Sequence, residues 1–176
     1  MYAWTSEKPY IEFHAGRKVR KVSPNFAHGV VQTAVAMILH RCGHGLGNAL
    51  TECHFDMSIQ LGSKTILVPD VAFIRRERTF GFSEDYLQIP AFAPDVAVEI
   101  RSPADRQGER EWKIATYLLA ECPLVLDISP KERTIVAHGS NGRLAFSRNE
   151  TFVHEAAPWL QFDVNEAFVD LDRLTQ

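Results

Sequence analysis

Apolar and polar residues alternate through the middle of the chain, and this period of two predicts β-strands. One strand-rich region covers residues 49–74, with a turn at Gly62 and Ser63. Within it Pro69 cannot donate a hydrogen bond to a neighbouring strand, so a break or bulge is expected beside Asp70. Further strands are predicted at residues 94–101, 124–128, 133–138 and 143–147.

Two longer segments carry apolar residues at helical spacing. The first helix is predicted over residues 24–41, with Ser23 as its cap, and its core-facing residues are expected to be Phe26, Val30, Ala34, Met37 and Ile38. Asp105 is the predicted cap of the second helix, whose apolar arc contains Trp112, Ile114, Ala115, Leu118 and Leu119 and leaves Lys113 outside. The order of elements predicts an α/β fold, a mixed sheet flanked by helices, in one domain spanning residues 1–176.

Composition narrows the function classes only slightly. The chain has 176 residues, of which 45% are hydrophobic and 23% charged, as in ordinary globular proteins. Its net charge of −3 argues modestly against a dedicated nonspecific nucleic-acid binder. Three cysteines form no disulfide framework, and neither a secretion signal nor a membrane span is visible, so a cytoplasmic location without membrane contact is expected.

The stretch PDVAVEIR, residues 94–101, places an acid inside an apolar strand. Val96, Val98 and Ile100 share one face, so Glu99 lies on the other face with Arg101. A buried carboxylate needs a cation as partner, and the same holds for Asp70 in VPDVAF. Neighbouring strands could bring the two acids together, and such a site of oxygen ligands suits Mg²⁺. A lone acid would more often be solvated or paired with arginine, whereas two acids with a lysine downstream favour function.

Other chemistries have weaker support. His40, Cys42, His44, Cys53 and His54 include zinc-binding residue types, but their spacing does not match the usual pairs, and solvent-facing histidines at a helix end are the better interpretation. The sequence contains no G-x-S-x-G elbow, Walker lysine loop or H-E-x-x-H motif.

Four segments together carry a family resemblance: PDVAF at 69–73, PDVAVEIRSPADR at 94–106, K-x3-YL at 113–118 and CPLVLDISPKERTIVAH at 122–138. They resemble the Uma-type family of proteins regarded as endonucleases, a branch of the PD-(D/E)XK restriction-endonuclease-like superfamily. The resemblance runs from about Ser23 to the C-terminal FVDLDRL. It implies a restriction-endonuclease-like mixed central sheet with an αβββαβ core.

The resemblance also implies roles for individual residues. Asp70 and Glu99 match the two motif acids, and with the carbonyl of Ile100 they would hold Mg²⁺ or Mn²⁺. Arg101 stands where the wider superfamily has its lysine, and Lys113 on the following helix matches the residue that takes over that role. Arg101 would contact a phosphate. The first helix carries no acid of the kind that some superfamily members add to the metal site, and the candidates to replace it are His28, Gln32 and Glu52.

Two alternatives concern the cations beside this site. Lys113 could be a solvated lysine paired with Glu109, four residues earlier on the helix. Arg101 could form a salt bridge to Asp95 or Glu99 and so occupy the metal site, as in an inactive enzyme.

The expected function is cleavage of DNA phosphodiester bonds by a metal-dependent endonuclease, acting as a homodimer. The alternative is a catalytically inactive nuclease-fold module that binds nucleic acid or protein. Two basic clusters could contact DNA, and we weight Arg75, Arg76 and Arg78 above Arg17, Lys18, Arg20 and Lys21 because the former follow Asp70 closely in the sequence.

Overall fold

The strands and helices follow one another in an order close to the predicted one. A computed structural model describes residues 10–21, 23–103 and 105–174; most of the N-terminal segment in which no secretion signal is expected lies outside these residues. The strands are β1 (Ile11–His14), β2 (Arg17–Arg20), β3 (Gly47–Thr51), β4 (Phe55–Asp56), β5 (Ile66–Leu67), β6 (Val71–Arg75), β7 (Val96–Ile100), β8 (Leu124–Ser129), β9 (Thr134–Gly139), β10 (Gly142–Phe146), β11 (Thr151–Phe152) and β12 (Phe162–Asp163). The helices are α1 (Phe26–Cys42), α2 (Ser58–Leu61), α3 (Arg76–Thr79), α4 (Glu84–Leu87), α5 (Gln107–Leu119) and α6 (Val169–Leu174), with a 3-10 helix at Val164–Ala167.

Six strands form the central sheet in the order β10-β9-β8-β7-β6-β3. The β7–β8 pair is parallel and the other neighbouring pairs are antiparallel. Helix α1 packs with one face of β7, which carries Val96 and Val98, and α5 packs with the other face, which carries Ala97. The predicted mixed sheet flanked by helices, with its αβββαβ core, is therefore confirmed.

A second, four-stranded sheet lies beside the break at Pro69. Its order is β2-β1-β5-β4, so the β1–β2 hairpin is joined to the central sheet through β5. Strand β5 ends at Leu67 and β6 begins at Val71. The predicted interruption is confirmed, and it leaves Asp70 at the start of β6, next to the hairpin.

Helix α1 differs from the prediction in its cap and in its buried face. Asn25, not Ser23, is the cap, and its side chain accepts a hydrogen bond of 2.9 Å from the His28 amide. Phe26 and Met37 are 74% and 67% exposed, whereas the buried residues are His28, Val31, Val35, Ile38 and Leu39. Of the predicted core-facing residues, Ile38 is buried and Val30 packs partly buried against the core, so the prediction is confirmed in part. The buried stripe begins with a polar histidine, which apolar periodicity alone cannot identify.

In helix α5 the predicted apolar arc is also confirmed in part: Ile114 is buried, and Trp112 and Leu118 pack partly buried against the core. Its cap position is Arg106, and Asp105 instead accepts a hydrogen bond from the Ser102 amide at 2.6 Å. Lys113 lies inside the structure, while Leu119 is 73% exposed. Hydrophobic periodicity cannot identify a lysine that is buried because it pairs with acids.

Across the described ranges, no helix is both long enough and apolar enough to cross a membrane.

Candidate active site

Asp70 projects its carboxylate toward the C-terminal end of β7. Its backbone amide donates to the carbonyl of Val98 at 2.9 Å, and its Oδ2 accepts a hydrogen bond of 2.7 Å from the amide of Ile100. The break before β6 allows this geometry, because Asp70 is not committed to the regular β6–β7 register, which begins at Val71. Two backbone contacts therefore fix the acid at the end of the strand that carries Glu99.

The hairpin and α1 both contribute cations or donors to Asp70. Lys21 Nζ lies 2.8 Å from Oδ1, and His28 Nε2 lies 3.3 Å from the same oxygen. Gln32 Nε2 donates to the backbone carbonyl of Asp70 at 2.9 Å. Burial alone would raise the pKa of Asp70, but Lys21 and His28 outweigh it and hold this pKa well below its usual range. Asp70 is therefore a carboxylate at neutral pH.

Glu99 occupies the face of β7 that the sequence predicts for it. Lys113 Nζ lies 2.7 Å from the carboxylate, and the hydroxyl of Tyr117 donates to it at 3.0 Å. Both partners come from one face of α5, four residues apart. Burial raises the pKa of Glu99 to about 7, and the nearby carboxylates of Asp70 and Glu12 raise it further. The ammonium of Lys113 lowers this pKa but does not outweigh them.

Glu12 is a third acid of this cluster. It lies on β1, is only 2% exposed, and its carboxylate is 3.1 Å from Lys113 Nζ. It also accepts from the Val68 amide at 3.0 Å and lies 2.8 Å from His14 Nε2. Burial would raise the pKa of Glu12, but Lys113, His14 and Lys21 lower it to about 2.

Lys113 is held between two acids. Burial would lower the pKa of Lys113, but Glu12, Glu99 and Asp70 raise it above its ordinary value. The side chain is thus a buried ammonium, not the solvated partner of Glu109. It cannot act as a proton-accepting base at neutral pH in this arrangement.

These groups line one open cavity of about 340 Å³. Its wall contains the predicted residues Asp70, Glu99, Ile100 and Lys113. The hairpin adds Glu12 and Lys21, and α1 adds His28. At the rim stand charged residues of both signs: Arg20, Asp105, Arg106, Glu109 and Arg110. The structure therefore brings together the four residues expected at the cation site.

Arg101 takes a different direction from these residues. Its Nε and Nη2 donate to the two oxygens of Asp127 at 2.9 and 2.8 Å, and Nη1 donates to Glu132 at 3.2 Å. Asp127 lies on β8 directly beside Glu99 in the parallel register. The guanidinium therefore pairs with neither Asp95 nor Glu99 and does not plug the space beside Asp70. Arg101 is not in the cavity wall, and its phosphate contact stays a prediction.

The two basic clusters lie at opposite ends of β6. Arg75 ends the strand, and five residues at 3.3 Å each place its backbone about 16 Å from that of Asp70. Arg75 and Arg76 are exposed, and Arg75 lies 3.6 Å from Glu77. Arg20 and Lys21 of the other cluster line the cavity instead. The Arg75 cluster was preferred because it is close to Asp70 in the sequence. An extended strand separates them, so the two are far apart in space.

The donor set is compatible with a hard divalent ion, subject to a rearrangement. Asp70, Glu99 and the Ile100 carbonyl offer the oxygen ligands that Mg²⁺ prefers. The cavity wall carries five acids and five lysine or arginine cations, so its formal charges balance: Glu12, Asp70, Glu99, Asp105 and Glu109 against Arg20, Lys21, Arg106, Arg110 and Lys113. The carboxylates of Asp70 and Glu99 are already hydrogen-bonded to protein groups, however, and an ion would have to displace an ammonium from them. In the described part of the chain, no cluster of three or more His, Cys, Asp or Glu side chains is arranged for a metal. The zinc-binding residue types noted in the sequence therefore form no such cluster: His40, Cys42, His44, Cys53 and His54.

Sequence reasoning missed three residues of the cavity network: Glu12, Lys21 in this role, and Tyr117. Glu12 and His14 share one strand face by their spacing of two, and Tyr117 shares a helix face with Lys113, so both spacings were visible in the sequence. Of the proposed replacements for a helix acid, His28 and Gln32 do reach Asp70. The side chain of Glu52 instead lines a separate pocket with Cys53 and His54.

Comparisons with known proteins agree with this architecture. The crystal structure of a "putative nuclease belonging to DUF820" from Anabaena variabilis ATCC 29413 is similar, with a TM-score of 0.80 at 20% identity over 93% of this chain and 92% of that chain. No curated protein matches the chain. The model of a family described as "Putative restriction endonuclease", Uma2, matches residues 1–165. Because that match covers nearly the whole sequence, the chain belongs to the Uma2 family.

Proposed function

We propose that the chain is a Mg²⁺- or Mn²⁺-dependent endonuclease that hydrolyses phosphodiester bonds in DNA. The observation that carries this proposal is the convergence of Asp70, Glu99 and the buried Lys113 on one cavity at the end of β7. Membership of a family described as "Putative restriction endonuclease" supports this reaction class.

Each residue has a definite task in this proposal. Asp70, Glu99 and the Ile100 carbonyl would hold the ion, which when bound activates a water and polarises the phosphodiester. Lys113 remains an ammonium, so it stabilises negative charge that develops on the phosphoryl oxygens and does not accept a proton. Arg20, Arg106 and Arg110 at the rim supply positive charge for neighbouring phosphates, with Arg101 as a further candidate.

Digestion of supercoiled plasmid and of single-stranded DNA tests the proposal. Wild type should cleave with Mg²⁺ or Mn²⁺ and not with EDTA. Asp70→Asn and Glu99→Gln should each lower the rate by at least about 100-fold, since each removes a ligand charge from the reaction centre. Glu77→Gln, at the exposed end of β6, is the matched control and should cleave like wild type. Equal rates in all variants would identify a contaminating nuclease and contradict the proposal.

A homodimer would let two active sites cut the two strands of a duplex. Light scattering measures the mass in solution, and a dimer should convert plasmid to the linear form early in the digestion. A monomer that only nicks would contradict this part of the proposal.

The second candidate is an inactive module that binds nucleic acid or protein. The observation in its favour is that Lys21 and Lys113 already bind both site acids. It predicts no metal-dependent cleavage by wild type. A gel shift of DNA that weakens with salt would then identify nucleic acid as the partner, and its absence would favour a protein.

A further inference from the structure

The cavity contains a second lysine for which the proposed reaction has no task. Lys21 follows β2, and its ammonium lies 2.8 Å from Asp70 Oδ1 and 2.6 Å from the carbonyl of Val68. Its side chain is 12% exposed. A positive charge thus already sits on the acid that the proposed function assigns to the ion.

The two oxygens of Asp70 are not equally available. Oδ2 is bound by the backbone amide of Ile100, which cannot move without disturbing β7. Oδ1 faces Lys21 and His28, which are both side chains. A cation that binds Asp70 must therefore approach Oδ1, where the ammonium lies. Because like charges repel strongly in a buried site, the two cations compete for this oxygen.

Lys113 is bound differently. It contacts both Glu12 and Glu99, so it keeps an acidic partner if Glu99 turns to an ion. Within the described residues, Asp70 is the one carboxylate in ion-pair distance of Lys21. Lys21 also lies just after β2, at the hairpin edge of the cavity. Of the two lysines, Lys21 is the one that can leave.

We infer that Lys21 is a displaceable counter-ion of the metal site. It neutralises Asp70 while no ion is bound, and it must withdraw from Oδ1 before a divalent ion can bind there. This inference rests on the proposed function, because it takes Asp70 as a metal ligand. It adds that the affinity for the ion is set by competition with a residue of the chain itself.

Calorimetric titration with Mn²⁺ in the absence of DNA tests the competition without measuring activity. Lys21→Gln keeps a hydrogen-bond donor and removes the charge, so it should bind Mn²⁺ at least about 10-fold more tightly than wild type. Lys21→Arg keeps the charge and should bind no more tightly than wild type. Lys18→Gln on the exposed part of the same hairpin is the matched control and should match wild type. Asp70→Asn should lose the binding heat.

The outcomes separate this inference from the proposed function. Unchanged or weaker Mn²⁺ binding by Lys21→Gln, with cleavage intact in wild type, overturns the inference alone. Absence of binding to both wild type and Lys21→Gln overturns the inference together with the metal-dependent function. If circular dichroism shows that Lys21→Gln does not fold, Lys21→Met, of similar length, replaces it with the same expected gain.

Discussion

Charged residues lie at both ends of strand β6, but they differ in burial. Asp70 and Glu99 at one end are buried, whereas Arg75 and Arg76 at the other end are exposed. At the Asp70 end, the β1–β2 hairpin, α1 and α5 cover the charges, and the acids are held by lysines at 2.7 to 3.1 Å. At the exposed Arg75 end, Arg75 is 3.6 Å from Glu77. The elements that cover a charge, and not the sequence beside it, therefore decide which charges are coupled.

Burial changes the energetic meaning of these pairs. An exposed pair such as Arg75 and Glu77 contributes little, because water and salt screen it. The buried pairs at the Asp70 end are costly to break, since the remaining partner keeps its charge away from water. Such an arrangement is weak evidence for stability in itself, and its retention in a cavity is consistent with a role in binding.

Removal of Lys113, the cation between Glu12 and Glu99, should have the largest effect on the free energy of unfolding. Lys113→Met leaves Glu12 and Glu99 with a missing partner and should lower the free energy of unfolding by about 3 to 5 kcal/mol. Arg75→Met, the counterpart at the exposed end, should change it by less than about 0.5 kcal/mol. Urea unfolding at pH 7 measures both values. Similar losses in the two variants would remove the distinction between the two ends.

The loss of folding stability at acidic pH should depend on Glu12. Its pKa is about 2 in the folded protein against 4.5 as the ordinary value, so below pH 4.5 the unfolded chain binds the proton first. The resulting stabilisation is complete above pH 4.5 and is lost as the pH falls toward 2. A shift of this size corresponds to about 3 kcal/mol.

Glu12→Gln should therefore flatten the decline between pH 5 and pH 2, and unfolding curves at a series of pH values measure this. Glu77→Gln at the exposed end should leave the decline as in wild type. Parallel curves for wild type and Glu12→Gln would show that Glu12 is not held as an anion.

A smaller effect is expected for DNA affinity. Arg20→Ala at the cavity rim should remove one phosphate contact, weaken binding, and reduce the slope of log affinity against log salt by about 0.9. Arg76→Ala at the exposed end of β6 should change neither quantity. Fluorescence anisotropy at several salt concentrations, with Ca²⁺ to avoid cleavage, measures both. The reverse result would support the prediction that the cluster containing Arg75 and Arg76 binds DNA.

Strand positions and the motif acids could be predicted from the sequence because both leave local signals. Period-two alternation located β7 and the face that carries Glu99, and Pro69 located the break beside Asp70. These signals depend only on residues adjacent in the chain.

The partners of the acids could not be predicted, because they depend on tertiary contacts. Lys113 appeared to be outside the apolar arc of its helix, and its burial depends on Glu12 of β1 and Glu99 of β7, which pair with it across the fold. Lys21 looked like one member of an exposed basic run, since nothing in the residues around it indicates that the hairpin joins β5. The helix faces were predicted only in part for the same reason: His28 and Lys113 are polar residues on buried stripes.

The hairpin binds both backbone polar groups of one residue, Val68. Glu12 accepts from the amide of Val68, and Lys21 donates to the carbonyl of the same residue. Both contacts use backbone atoms, so side chains that fit the space of Val68, such as isoleucine, would preserve them. Proline has no amide hydrogen and would break one contact. A residue at position 68 must therefore fit the space of Val68 and carry a backbone N–H, because neither contact uses its side chain.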